Sequence, residues 1–82
     1  KWYLYVLQCS DGTYYTGVTT DIDRRVNEHN TSNRGAKYTK SRRPTRVVYF
    51  LEYDDRSSAQ KAEYNFKRLT RKQKKETIDE RQ

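Results

Sequence analysis

Two tyrosine-bearing segments, Trp2-Tyr3-Leu4-Tyr5-Val6-Leu7 and Thr13-Tyr14-Tyr15-Thr16-Gly17-Val18, run into a helix-like stretch that places Arg25 and His29 one turn apart, and a carboxylate follows at Glu63. Together these side chains can supply a base, a phosphate clamp and a metal ligand. A phenol or an imidazole can take a proton, a guanidinium can grip two oxygens at once, and a carboxylate can hold a hard cation. Each residue also has a structural reading. Tyr5 and Tyr15 are amphipathic strand residues able to bond across a hairpin, and His29 shares a helical face with Ile22 and Val26. Arg25 can be a solvated arginine, and Glu63 is spaced to pair with Lys67. The chemical reading rests on all five together.

The elements that must position them are readable from periodicity. Trp2 to Gln8 and Thr13 to Thr19 read as strands joined by Cys9-Ser10-Asp11-Gly12, whose Asp-Gly pair signals a hairpin. Alternation puts Tyr3, Tyr5 and Leu7 on one face and Trp2, Leu4 and Val6 on the other, so both faces call for cover. A first helix starts after Thr20, whose hydroxyl can cap it, with Asp21 and Asp23 near its positive end, and runs to about Asn30. Thr31 to Pro44 reads as a loop rich in Ser, Thr, Asn, Gly and cations. Arg46 to Tyr53 is a third strand. Asp54-Asp55 opens a second helix, whose Ala59, Ala62, Phe66 and Leu69 form its core stripe with Glu63 beside it. Thr70 caps a third helix, Arg71 to about Arg81, in which Ile78 is the one large apolar residue.

Leu, Ile, Val and Phe supply 13 of 82 residues, and with a net charge of +7 that composition alone points to disorder. The strand and helix periodicities overrule it, and eight tyrosines serve as core filler in place of aliphatic side chains. The length gives one domain, residues 1–82 with a core over 2–75, of the α+β class: a three-stranded antiparallel sheet flanked by helices, a sandwich in the order β-β-α-β-α-α. Cys9 is the single cysteine and His29 the single histidine, which excludes an intramolecular disulfide and a tetrahedral zinc site. No apolar run reaches membrane-span length and the amino terminus lacks a secretory pattern, so the expected compartment is the cytoplasm. Methionine is absent, so the chain is read as lacking its initiator and a few flanking residues.

Charge is concentrated in two blocks. Between residues 24 and 46 eight cations stand against Glu28 alone, and between 61 and 75 seven stand against Glu63 alone. Such a directed positive surface on a small domain faces a polyanion. Its candidate phosphate contacts are Arg24, Arg34, Lys37, Lys40, Arg42, Arg43, Lys67, Arg68 and Arg71.

The pattern resembles the GIY-YIG nuclease domain in its small stand-alone bacterial version. Tyr3-Leu4-Tyr5 stands at the first motif and Tyr15-Thr16-Gly17 at the second, with nine residues between them. Arg25, His29 with Asn30, and Glu63 fall at the family's further functional positions, so the likeness covers Trp2 to about Lys75. Two motif positions depart from the name: Tyr3 replaces the first glycine and Thr16 the central isoleucine, both keeping β character. The helical position four after the arginine, often tyrosine, is His29 here.

The resemblance implies phosphodiester hydrolysis, which needs a base for water, stabilisation of phosphoryl charge and help for the leaving oxygen. It assigns Glu63 as ligand for Mg²⁺ or Mn²⁺, Arg25 as phosphate fork and Tyr5 as general base. Tyr15 then positions the water or the metal shell, and His29 shares proton transfer or bonds a phosphate. The residues themselves do not separate Tyr5 from Tyr15. The expected partner is nucleic acid, DNA first, with no small-molecule cofactor, no membrane and a monomeric protein. Three functions compete: a metal-dependent endonuclease on branched, damaged or distorted DNA; a non-catalytic nucleic-acid-binding module; and an adaptor docking an acidic protein through residues 61–75.

Overall fold

The computed structural model describes residues 1–81. Its centre is strand β1 (Trp2–Gln8), paired antiparallel with β2 (Tyr14–Thr19) on one side and β3 (Arg46–Tyr53) on the other. The Cys9 carbonyl accepts the Gly12 N–H, and Gly12 takes φ +83°, a region where a side chain is strained. Asp11 secures the same turn by accepting from the Thr13 hydroxyl at 2.6 Å. β1 is the middle strand, and Leu4, Tyr5, Val6 and Leu7 are buried in succession, so both faces are covered as the alternation requires. The pairing of β1 with β3 slips by one residue between Val6 and Leu7, a bulge.

Helix α1 (Ile22–Thr31) begins one residue later than the Thr20 cap expected. Asp21 caps it, accepting from Arg24 N, while Thr19 Oγ1 holds the Asp21 N–H. The expected loop over 31–44 contains a four-residue helix, α2 (Lys37–Lys40). No periodicity marks α2, whose buried Thr39 lies 2.9 Å from His29 Nδ1 on α1. Helix α3 (Arg56–Lys67) is capped by Asp55, and α4 (Arg71–Glu80) by a reciprocal Thr70 and Gln73 capping box. Both caps fall where the sequence places them.

The helices form two layers with the sheet between them. Phe66 of α3 and Ile78 of α4 pack with Val6, flanked by Tyr14, Val48, Tyr49 and Leu69. Tyr49 and Phe66 stack with ring centroids 5.8 Å apart. On the opposite face α1 and α2 carry His29 and Thr39 against Tyr5. The observed architecture is the expected sandwich with one additional short helix.

Candidate active site

Tyr5 sits mid-strand on β1 directly opposite Gly17 of β2. A Cβ at Gly17 would lie 2.6 Å from the Tyr5 hydroxyl. Only glycine lets the tyrosine lie across its neighbouring strand, and by crossing there Tyr5 Oη comes 2.8 Å from His29 Nε2. Both side chains are buried, His29 completely.

The second imidazole nitrogen decides the direction of that bond. The Ala36 backbone N–H donates to His29 Nδ1 at 3.2 Å, and Thr39 Oγ1 lies 2.9 Å from the same atom. A backbone N–H can only donate, so Nδ1 carries the lone pair and the ring proton resides on Nε2. Nε2–H therefore donates to Tyr5 Oη. Burial, reinforced by the Arg25 and Arg43 cations, pushes the His29 pKa down to about 4, so the ring is neutral at neutral pH. Gly35 makes this arrangement possible, since a Cβ there would meet the Glu28 carbonyl oxygen at 2.7 Å and His29 Cα at 2.8 Å.

Arg25 is fixed by Nη1, which donates to Glu28 Oε1 at 3.0 Å and to the Arg34 carbonyl at 2.7 Å. The guanidinium also lies beside the Tyr5 hydroxyl and favours its ionised form. Burial outweighs that help: the Tyr5 pKa is pushed up to about 12 by burial first, and further by Tyr15 and Glu63. Glu63 thus projects its charge onto Tyr5 from α3 while Lys67 Nζ holds its Oε2 at 3.1 Å. Among the described residues no three His, Cys, Asp or Glu side chains cluster, so a cation held here would rest on few carboxylates. Magnesium and manganese accept such a donor set, completing their octahedra with water.

Tyr15 completes the group through its ring, whose centroid is 5.1 Å from that of His29 and 6.5 Å from that of Tyr5. It is half-buried and its hydroxyl has no protein partner among the described residues. Its other neighbour is Tyr38, 6.1 Å away and stacked. Tyr5, Tyr15, Arg25 and His29 are thus gathered together, while Glu63 on α3 is linked to them through its charge acting on Tyr5. A cavity of about 530 Å³ lies elsewhere, lined by Tyr3, Asp21, Val26, Val47 and Phe50 among others, and none of the five lines it.

A family model for the GIY-YIG catalytic domain matches residues 1–76. The chain belongs to the GIY-YIG family. UPF0213 protein DP2720 of Desulfotalea psychrophila is 51% identical over 94% of this chain and 70% of its own length. UPF0213 protein lin0209 of Listeria innocua is also 51% identical, over 98% of this chain and 88% of its own. Two solution NMR structures share the fold. The UPF0213 protein BH0048 of Bacillus halodurans has a TM-score of 0.61 at 42% identity, covering 95% of this chain and 82% of its own. Protein EF2693 of E. faecalis has a TM-score of 0.63 at 48% identity, covering 94% and 81%. GIY-YIG domains form a nuclease superfamily, so membership implies a nucleic-acid substrate. No helix of the described residues is long and apolar enough to cross a membrane.

In this GIY-YIG domain the nine candidate phosphate contacts divide by what already occupies them. Arg43 donates to the His29 and Ser32 carbonyls, each at 2.6 Å, closing the end of α1. Arg42 bonds Asp11, Arg71 bonds the Gly12 carbonyl, Lys67 pairs with Glu63, and Arg68 lies 5.6 Å over the Tyr64 ring. Among the described residues the side chains of Arg24, Arg34, Lys37 and Lys40 have no hydrogen bond or ion pair and stand free. Asn30 is committed to β3: it donates to the Thr45 carbonyl and accepts from the Thr45 N–H and hydroxyl. The sequence reading missed Gly35, Ala36, Tyr38 and Thr39. Gly35-Ala36 just beyond a helix was the available signal, a place where backbone can approach backbone.

Proposed function

We propose that this domain is a divalent-metal-dependent DNA endonuclease that cuts branched, damaged or distorted DNA in repair or recombination. One observation carries the reading: the buried Tyr5 hydroxyl accepts a hydrogen bond from neutral His29 at 2.8 Å with Arg25 beside it and Glu63 acting on it from α3. Two donors aimed at one phenolic oxygen favour the phenolate against the burial that raises its pKa.

Tyr5 is then the base that takes a proton from the attacking water. His29 cannot receive the Tyr5 proton at Nε2, which already holds one, so it acts as a fixed donor. Arg25 presents its fork to the scissile phosphate. Glu63 would hold Mg²⁺ or Mn²⁺, which supplies charge stabilisation on the phosphoryl and leaving oxygens. With the Glu63 charge neutralised, one cause of the raised Tyr5 pKa is removed. Tyr15 borders the space where water is positioned.

The test is cleavage of labelled flapped, branched and plain duplex DNA with Mg²⁺ or Mn²⁺, beside an EDTA control and Glu63→Gln. Metal-dependent cutting that falls by about 100- to 1,000-fold in the variant supports the mechanism, the scale at which a preorganised charge-stabilising group acts. Full activity in Glu63→Gln refutes the ligand assignment. Binding without cutting on every substrate makes the domain a non-catalytic nucleic-acid-binding module.

A further inference from the structure

Tyr38 is 37% exposed, one of three large aromatic or apolar side chains that reach solvent among the described residues. It continues a ladder of rings that starts in the site: Tyr5 and His29, then Tyr15 at 5.1 Å from His29, then Tyr38 at 6.1 Å from Tyr15. The ladder ends on Arg42, whose guanidinium carbon is 3.9 Å from the Tyr38 centroid.

Arg42 is unsuited to the phosphate fork that its charge suggests. Its Nε donates to Asp11 Oδ2 at 3.0 Å, and its Nη1 donates to the Tyr38 carbonyl at 3.0 Å and the Ser41 hydroxyl at 3.3 Å. Asp11 is itself held by Thr13, and the Arg42 carbonyl accepts from Ser10 N. The group is braced on the hairpin turn with its charge balanced. The guanidinium covers one face of Tyr38, so what the pair still offers is the partly exposed outer face of that guanidinium, backed by the ring. Planar aromatic and guanidinium surfaces take nucleobases by stacking, and only an unpaired base has a face to give.

We propose that Tyr38 and Arg42 form a stacking platform for an unpaired nucleobase next to the phosphate at Tyr5 and Arg25. This rests on the reading that the site receives nucleic acid, and it narrows the substrate to strands with a splayed base beside the cut. The free Lys37 and Lys40 flank Tyr38 in sequence and supply backbone contacts that do not depend on base pairing.

The test uses 2-aminopurine at the unpaired position abutting a duplex junction, in DNA and in RNA versions, with EDTA present so that nothing is cut. The parent protein quenches the fluorophore by stacking. Tyr38→Phe keeps the quenching, while Tyr38→Leu loses it and weakens binding of the splayed substrate about 10-fold. Plain-duplex affinity and its salt dependence stay unchanged in Tyr38→Leu. Quenching on only one backbone names the source of the base. A folded Tyr38→Leu that quenches and binds like the parent overturns the proposal. Should that variant fail to fold, 5-iodouracil at the same position is photo-crosslinked to the unmodified protein: a link at Tyr38 supports the platform, and a link elsewhere or none overturns it. Quenching without cleavage under any metal would leave the platform standing and remove the nuclease; cleavage without quenching would do the reverse.

Discussion

Val6 and Tyr5 are neighbours on the central strand, 0% and 1% exposed, and they look into opposite kinds of interior. Val6 meets Phe66 and Ile78 in a contact of hydrocarbon with hydrocarbon. Tyr5 meets His29, which meets Ala36 and Thr39, in a buried chain of hydrogen bonds. No buried side-chain nitrogen or oxygen lacks a partner among the described residues. Depth of burial therefore does not distinguish the stabilising face from the chemical one. The apolar face depends on filled volume and tolerates shape-conserving exchange, while the polar face depends on every donor having its acceptor.

The largest effect that would sharpen this contrast is Phe66→Ala. Phe66 is 6% exposed, and truncating a buried phenylalanine costs about 3 to 4 kcal/mol. Urea unfolding should show that loss while the Tyr5 and His29 arrangement, on the far face of the sheet, keeps its activity at low temperature. If activity falls as steeply as stability, the two faces are one unit.

Next is the pH response of the polar face. His29 titrates at about 4 in the folded protein and near its ordinary 6.5 when unfolded. Between those values the unfolded chain binds more protons, so stability is full above pH 6.5 and falls as pH drops towards 4, by up to about 3 kcal/mol. Urea midpoints at pH 7 and pH 4.5 measure it. His29→Gln should flatten the difference, and an unchanged slope would show that other groups set it.

Gly17→Ala comes third. Its Cβ would sit 2.6 Å from the Tyr5 hydroxyl, so Tyr5 must move. The cost is about 2 kcal/mol of stability by overpacking, with a larger loss of whatever activity the parent shows. A thermal melt together with the cleavage assay separates the two. The smallest effect is Thr39→Val, which keeps the Ala36 N–H on His29 Nδ1 and removes one hydroxyl. A loss of about 1 kcal/mol is expected in thermal unfolding, and one of several kcal/mol would mean that Thr39 holds α2 in place.

The apolar face was the more legible of the two. Alternation in β1, the Asp11-Gly12 turn, the Asp55 and Thr70 caps and the stripe Ala59, Phe66 and Leu69 are local signals, and each reports its element without reference to the rest of the chain. The polar face was legible as a set of side-chain types in order. Its wiring was not, because the partners of His29, Ala36 and Thr39, lie in a segment that no periodicity marks. For the same reason Tyr5 and Tyr15 looked equivalent: what separates them is the Gly17 notch, which sends one hydroxyl to His29 and leaves the other free. The free and braced arginines likewise differ by distant partners, backbone carbonyls for Arg43 and Arg71 and the Asp11 carboxylate for Arg42, that no sequence spacing reveals.

The Asn30 and Thr45 clamp has a modular consequence. It ties the end of α1 to the residue before β3, so the stretch between them leaves and returns at a locked neck. From within that stretch Arg42 ties back to the hairpin turn, through Asp11 and the Ser10 N–H. The stretch carries Tyr38 and Arg42 as well as the two supports of His29, so a graft that preserves Gly35, Ala36 and Thr39 but replaces Tyr38 and Arg42 would change the surface beside Tyr15 and leave the bonds to His29 Nδ1 in place.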